Sequence, residues 1–111
     1  MTLKECYEAI GGDYADVTAR LPSEKFIQKF VLKFLDDGSY DLLCRSMETD
    51  NMEEAFRAAH TIKGMCQNLG FAKLGASSSA LTEHLRSGQL GDYAALLEQV
   101  RQDYQLTQEV I

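Results

Sequence analysis

Between residues 52 and 69 apolar side chains recur at alternating intervals of three and four: Met52, Ala55, Ala59, Ile62, Cys66 and Leu69. That spacing is the buried seam of an amphipathic helix that packs in a bundle. Asp50-Asn51-Met52-Glu53 ahead of it has the form of a capping box, with an acceptor at the N-cap and a glutamate three residues on. Gly70 is its natural terminator. The next stretch repeats the device with Phe71, Leu74, Ser78, Leu81 and Leu85, and ends at Ser87-Gly88. Almost no loop separates the two, so they must turn back on each other as antiparallel neighbours. Gly91-Asp92 then starts a last helix with Tyr93, Leu96, Leu97, Val100, Tyr104 and Ile111 on its inner face.

Upstream the pattern is shorter and more interrupted. Leu3, Cys6, Tyr7 and Ile10 make one apolar face, and Gly11-Gly12 stops it. Asp13 can cap a second short helix carrying Tyr14, Val17 and Leu21. Each is too short to stand alone, so the pair reads as a packing appendage. Pro22-Ser23-Glu24 opens a stronger helix, with the proline and an acid in its first turn. Its stripe of Phe26, Ile27, Phe30, Val31, Phe34 and Leu35 suits a core, and all three phenylalanines are expected there. Asp36-Asp37-Gly38 closes it, and Ser39 can cap a helix carrying Tyr40, Leu42, Leu43 and Met47.

The predicted fold is therefore all-α: an up-down antiparallel four-helix bundle with additional short N-terminal helices. Residues 39–49, 51–69, 71–87 and 92–110 would form the bundle, and the helix 25–35 would pack alongside or across one end. One domain spans 1–111, divided into N-terminal helices over 1–37 and the bundle over 38–111. Composition agrees, with one proline, no tryptophan and few stretches that look like strands.

The net charge of −6 argues against bulk binding to nucleic acid or anionic membranes, which favour a basic surface. The charge is unevenly placed. From Ala55 to Thr82 there is no acidic residue, only Arg57, Lys63 and Lys73, which predicts a locally positive zone around His60. The three cysteines, Cys6, Cys44 and Cys66, show no metal-ligand spacing and read as buried reduced thiols. With no signal peptide and no long apolar run, the expectation is a soluble cytoplasmic protein. Starting at Met1 fits a free-standing chain; a domain cut from a larger kinase is the other reading.

The chemistry lies on the open side of the seam. At about 100° per residue, His60 falls roughly 140° from the seam centre, so it points outward. Lys63 lies one turn on, Gly64 at the other flank, Gln67 beyond, and Phe56 and Arg57 one turn before. A neutral imidazole nitrogen is a nucleophile near neutral pH. A lysine beside it can offset charge on a transferring phosphoryl group. Glycine inside a helix is unfavourable by about 1 kcal/mol against alanine, which makes sense where another macromolecule must approach closely. On spacing alone, the same residues also describe a solvated face with a chance glycine. His84 and His60 are the only histidines and stand 24 positions apart, so no metal site is expected. Ser77-Ser78-Ser79 reads as small-residue helix packing, with no base patterned beside it.

His60-Thr61-Ile62-Lys63-Gly64 followed by Leu69-Gly70 resembles the H-x-x-K-G-x-x-x-x-x-G signature of histidine phosphotransfer (HPt) domains, with Leu74 and Leu81 where that family places core leucines. The resemblance runs from about residue 23 to the C-terminus. It implies a phosphorelay intermediate, without a nucleotide site and not a free-standing enzyme. His60 would accept a phosphoryl group from a receiver-domain aspartate of a response regulator or hybrid kinase and pass it to another receiver. Lys63 would stabilise that group, and Gly64, Gln67, Arg57 and Phe56 would serve access and docking. The receiver would supply Mg²⁺, so no cofactor is expected in this chain, which would act as a monomer. Many members carry Glu or Gln at the position of Thr82. The shorter threonine predicts no direct contact to the imidazole, with Glu83 as a substitute. The alternative is a phosphorylation-independent adaptor that binds receiver or kinase domains through the same exposed helix.

Overall fold

The computed structural model describes residues 2–88 and 93–111. Seven helices follow one another there: α1 (Leu3–Ala9), α2 (Tyr14–Arg20), α3 (Glu24–Asp36), α4 (Ser39–Glu48), α5 (Met52–Leu69), α6 (Ala72–Ser87) and α7 (Tyr93–Val110). The chain is a helical bundle, as its apolar periodicity predicts. α5 packs against α4 on one side and α6 on the other, and α6 packs against α7. Tyr40 of α4 stacks on Tyr104 of α7 with centroids 3.9 Å apart, which joins the first and last of these helices. The expected start at Gly91-Asp92 lies outside the described residues.

The α5 seam is buried as its spacing predicts: Ala55, Ala59, Ile62, Cys66 and Leu69 are all in the core, with Met52 half-buried at its start. Facing it, α6 offers small residues. A Cβ added at Gly75 would meet the Cys66 Cβ at 3.3 Å, so the two helices approach closely there. Ser77 and Ser78 are buried and return their hydroxyls to Leu74 O, which lets the small side chains sit in an apolar contact without an orphan donor. Burial pushes the Cys66 thiol up to about 12, so it stays a neutral, inert core group.

Several local expectations shift. The box expected over Asp50–Glu53 is not the cap of α5. Asn51 is the N-cap and accepts from Glu54 N at 3.3 Å, while Asp50 adopts φ 56. The tight α4–α5 reversal needs one left-handed residue, aspartate tolerates that conformation, and the helix starts one residue later. Ser39 is not a cap either. It is the first residue of α4, and Asp37 Oδ1 accepts from its N–H at 2.8 Å. Pro22 lies before the helix, because Ser23 is the N-cap and accepts from Phe26 N. Of the three phenylalanines of α3 only Phe34 is buried; Phe30 is half-buried and Phe26 is 46% exposed. The stripe is wider than the surface α3 can bury: Ile27, Val31 and Phe34 are buried, while Phe30 and Leu35 only lean against the core.

The N-terminal appendage has a specific task. The last carbonyls of a helix have no intrahelical partner, and α5 has no basic residue in its own last turn. α1 and α2 supply the missing donors. Tyr7 Oη donates to Leu69 O at 2.6 Å, and Asp13 N donates to Gly70 O at 2.7 Å. Arg20, held by Asp16 at 2.7 Å, donates through Nη2 to Gln67 O and to Asn68 O. The guanidinium also places a cation at the negative end of the helix dipole. Burial raises the Tyr7 pKa above the usual phenol range, so the hydroxyl remains a donor. Tyr7→Phe is expected to lower stability by about 1–2 kcal/mol, read from the denaturant midpoint with an unchanged slope.

Candidate functional site

The open face of α5 carries the residues singled out by spacing. His60 is exposed, and among the described residues its imidazole makes no hydrogen bond or ion pair. Its one organised contact is with Phe56, one turn earlier. The rings lie nearly parallel, 12° apart, with centroids at 5.9 Å. Residues four apart stand above one another on a helix, so a half-buried Phe56 braces the imidazole from the N-terminal side. Arg86 of α6 lies over the Phe56 ring, with Cζ at 5.5 Å from the centroid. It gives the face a second cation that sequence reading missed. The antiparallel turn from α5 to α6 brings positions 56 and 86 together, and nothing local to Arg86 announces it.

Gly64 is open. A Cβ placed there would meet no atom of the described residues within 4 Å, so neither packing nor backbone conformation requires glycine at this position. Lys63 is half-buried on the α6 side of His60 and has no carboxylate partner among the described residues. Gln67 is exposed, and its carbonyl is one of the two held by Arg20.

The locally positive zone is weaker than the sequence window suggests. Arg57 is paired with Glu53 at 2.8 Å and Glu54 at 2.7 Å, both on its own helix. Lys73 lies 3.7 Å from Asp103 Oδ1 on α7, whose carboxylate also accepts from Gln99 Nε2. The window ended just short of Glu53 and Glu54, which are neighbours one turn back. Of its three cations, only Lys63 is left beside His60 without a carboxylate.

Thr82 is fully buried, and its hydroxyl donates to Ser78 O at 2.7 Å. The α5–α6 register, set by Cys66 against Gly75 and Phe56 against Arg86, places Thr82 opposite Ala59 on the core side. A short residue fits that close crossing. Glu83 is exposed and 3.7 Å from Arg86. No hydrogen bond joins either residue to His60 among the described residues. His84 packs edge-on against Tyr93 at 4.7 Å, on the α6–α7 side. Among the described residues no three His, Cys, Asp or Glu side chains gather to hold a metal, and no helix is long and apolar enough to cross a membrane.

A rigid helix thus presents one unengaged imidazole, braced by an aromatic ring, beside an unpaired lysine and a bare glycine. No curated protein and no solved structure gives a significant match to the chain. A family model described as Hpt domain matches residues 31–110, from α3 to the end of α7, and spans the whole of the site. The chain belongs to the Hpt domain family, the phosphocarriers of histidine phosphotransfer in phosphorelays, which work with receiver domains.

Proposed function

We propose that this chain carries a phosphoryl group on His60 between two receiver domains. The observation that carries the reading is the exposed, unengaged imidazole of His60 stacked on Phe56 beside the open Gly64. In the tautomer with the proton on Nδ1, the Nε2 lone pair attacks the phosphorus of an aspartyl phosphate. A P–N bond forms, the acyl O–P bond breaks, and the receiver's aspartate leaves as a carboxylate. In the second transfer another receiver's carboxylate attacks, the P–N bond breaks, and Nε2 recovers its electron pair. Lys63 offsets charge on the three phosphoryl oxygens in flight. Phe56 limits the imidazole's rotation, so less orientational freedom is lost on docking. The magnesium belongs to the receiver, and this chain works without a nucleotide.

The test is transfer from a receiver domain loaded with labelled phosphate. The chain is expected to take up label that acid removes and alkali does not, on a peptide containing His60. Receivers from the same genome that bind the chain but never pass label to it would instead establish the adaptor reading. Gly64→Gln is a second check. Its side chain enters open space, so the thermal midpoint should hold, while transfer slows by about a hundredfold because the receiver is held off the imidazole. Unfolding of this variant would contradict the placement of Gly64.

A further inference from the structure

α3 leaves one large aliphatic side chain in the open. Leu32 is 63% exposed, more than any other large hydrophobic residue among those described. Beside it lies a cleft of about 280 Å³, lined by Leu3 and Cys6 of α1, Gln28 and Val31 of α3, and Ile111 at the end of the chain. Leu3, Cys6 and Ile111 are half-buried, so the hollow is apolar and reachable. A projecting leucine and a hollow that suits a leucine thus share one surface. Gln28 and Leu32 stand on the flank of α3 toward α1. Phe30 and Lys33 stand on the other flank, against Met65 and Asn68 of α5.

The charges on this face are ordered along the helix. Lys25, Lys29, Leu32 and Asp36 follow at spacings of four, three and four, the seam of a helix that pairs with another. All of them are exposed, away from the buried Ile27, Val31 and Phe34. Neither lysine and not Asp36 has an oppositely charged partner among the described residues. Lys25 at the start of the helix and Asp36 at its end are both set against the helix dipole, so local helix stability does not explain them. The seam therefore reads cation, apolar centre, anion.

We infer that this face of α3 takes a second copy of the chain, packed antiparallel across a two-fold axis near Leu32. A two-fold contact uses the same patch on both copies, so the patch must complement itself. This one does. Turning a second α3 end for end brings Lys25 and Lys29 of each copy beside Asp36 of the other, and long lysine stems absorb the offset of about one residue. Each Leu32 then meets the hollow between α1 and α3 of the facing copy. The net charge of −6 makes whole copies repel, but α3 carries three lysines against two acids, so repulsion is least here. A polyanionic partner suits the face less well, because Asp36 opposes it. One leucine contact per copy with flanking ion pairs makes a weak, transient dimer. It replaces the monomer expected from the sequence. Since the seam lies on the flank of α3 turned from α5, both His60 faces stay open in the pair.

The experiment is sedimentation equilibrium at low salt, over about a hundredfold range of concentration that reaches the millimolar region. It compares the wild-type chain, the combined Lys25→Glu and Lys29→Glu variant, Asp36→Lys, and Leu32→Ser. The wild-type mass should climb from one chain toward two. Either charge variant alone sets like charges together at both ends of the seam and should dimerise about tenfold or more weakly. An equimolar mixture of the two charge variants should recover the wild-type association, because acids on one copy then face lysines on the other. Leu32→Ser should stay monomeric throughout. All the changed positions are exposed, and the thermal midpoint checks that each variant folds. A wild-type chain that stays monomeric, or variants that dimerise as it does, overturns the inference. So does a mixture that associates no better than its components while the wild-type chain dimerises.

Discussion

His60→Gln is expected to lose phosphate uptake, by about 10⁴-fold or more, while the protein stays folded. The glutamine amide can occupy the same space and form a hydrogen bond, but its nitrogen has no free electron pair for attack on phosphorus. The structural cost is small, because His60 is exposed and its one ordered contact is the face of Phe56. Exposed substitutions of this kind move stability by about 0.5 kcal/mol or less. Uptake is read as acid-labile label after incubation with a phosphorylated receiver, and folding as the thermal midpoint. Label retained at the wild-type rate would move the phosphorylated residue elsewhere. His84 is the remaining histidine, and it sits against Tyr93 on the α6–α7 side.

Gly70→Ala is expected to be among the most destabilising single changes, about 3 kcal/mol, or roughly 10 °C or more in the midpoint for a chain of this size. Two causes add. Gly70 has φ 70, the left-handed conformation that ends α5, where any Cβ is strained. Its added Cβ would also lie 2.7 Å from Asp13 O and 3.3 Å from the Val17 Cβ. Asp13 O belongs to the main chain at the start of α2 and cannot swing aside. Moving it would break the Asp13 N bond to Gly70 O and pull Arg20 from the end of α5. Gly88 is the control. It has φ 69 and ends α6, but among the described residues nothing lies within 4 Å of an added Cβ. Gly88→Ala should show the backbone strain alone, about 1–2 kcal/mol. Equal losses at the two glycines would mean that the close docking of α2 contributes nothing. Below its own transition Gly70→Ala should still be phosphorylated, since His60 lies more than two turns away along α5.

The caps show how far local patterns reach. The α4–α5 boundary was legible to within one residue, and the error came from Asp50, whose left-handed backbone no composition rule requires. Phe26 shows a second limit. Hydrophobicity at helical spacing marks residues that can be buried, and only the partner helices decide how many of them are. The positive window shows a third. Counting charges along the chain left Arg57 free, whereas it sits between Glu53 and Glu54, and Lys73 meets a buried Asp103.

The sequence by itself determined the helices, the buried side of α5 and the outward placing of His60. These follow from periodicity within one helix, where neighbours lie three or four residues apart and a single rotation angle relates them. It also carried the His-x-x-Lys-Gly pattern that the family model recognises. Only the tertiary structure decided what surrounds α5: Tyr7 and Arg20 on its last carbonyls, Arg86 over Phe56, and Thr82 in the core. Each joins positions far apart in sequence. Such pairings depend on which helix ends must find hydrogen-bond donors and which faces meet once the bundle closes, and no local spacing encodes that choice.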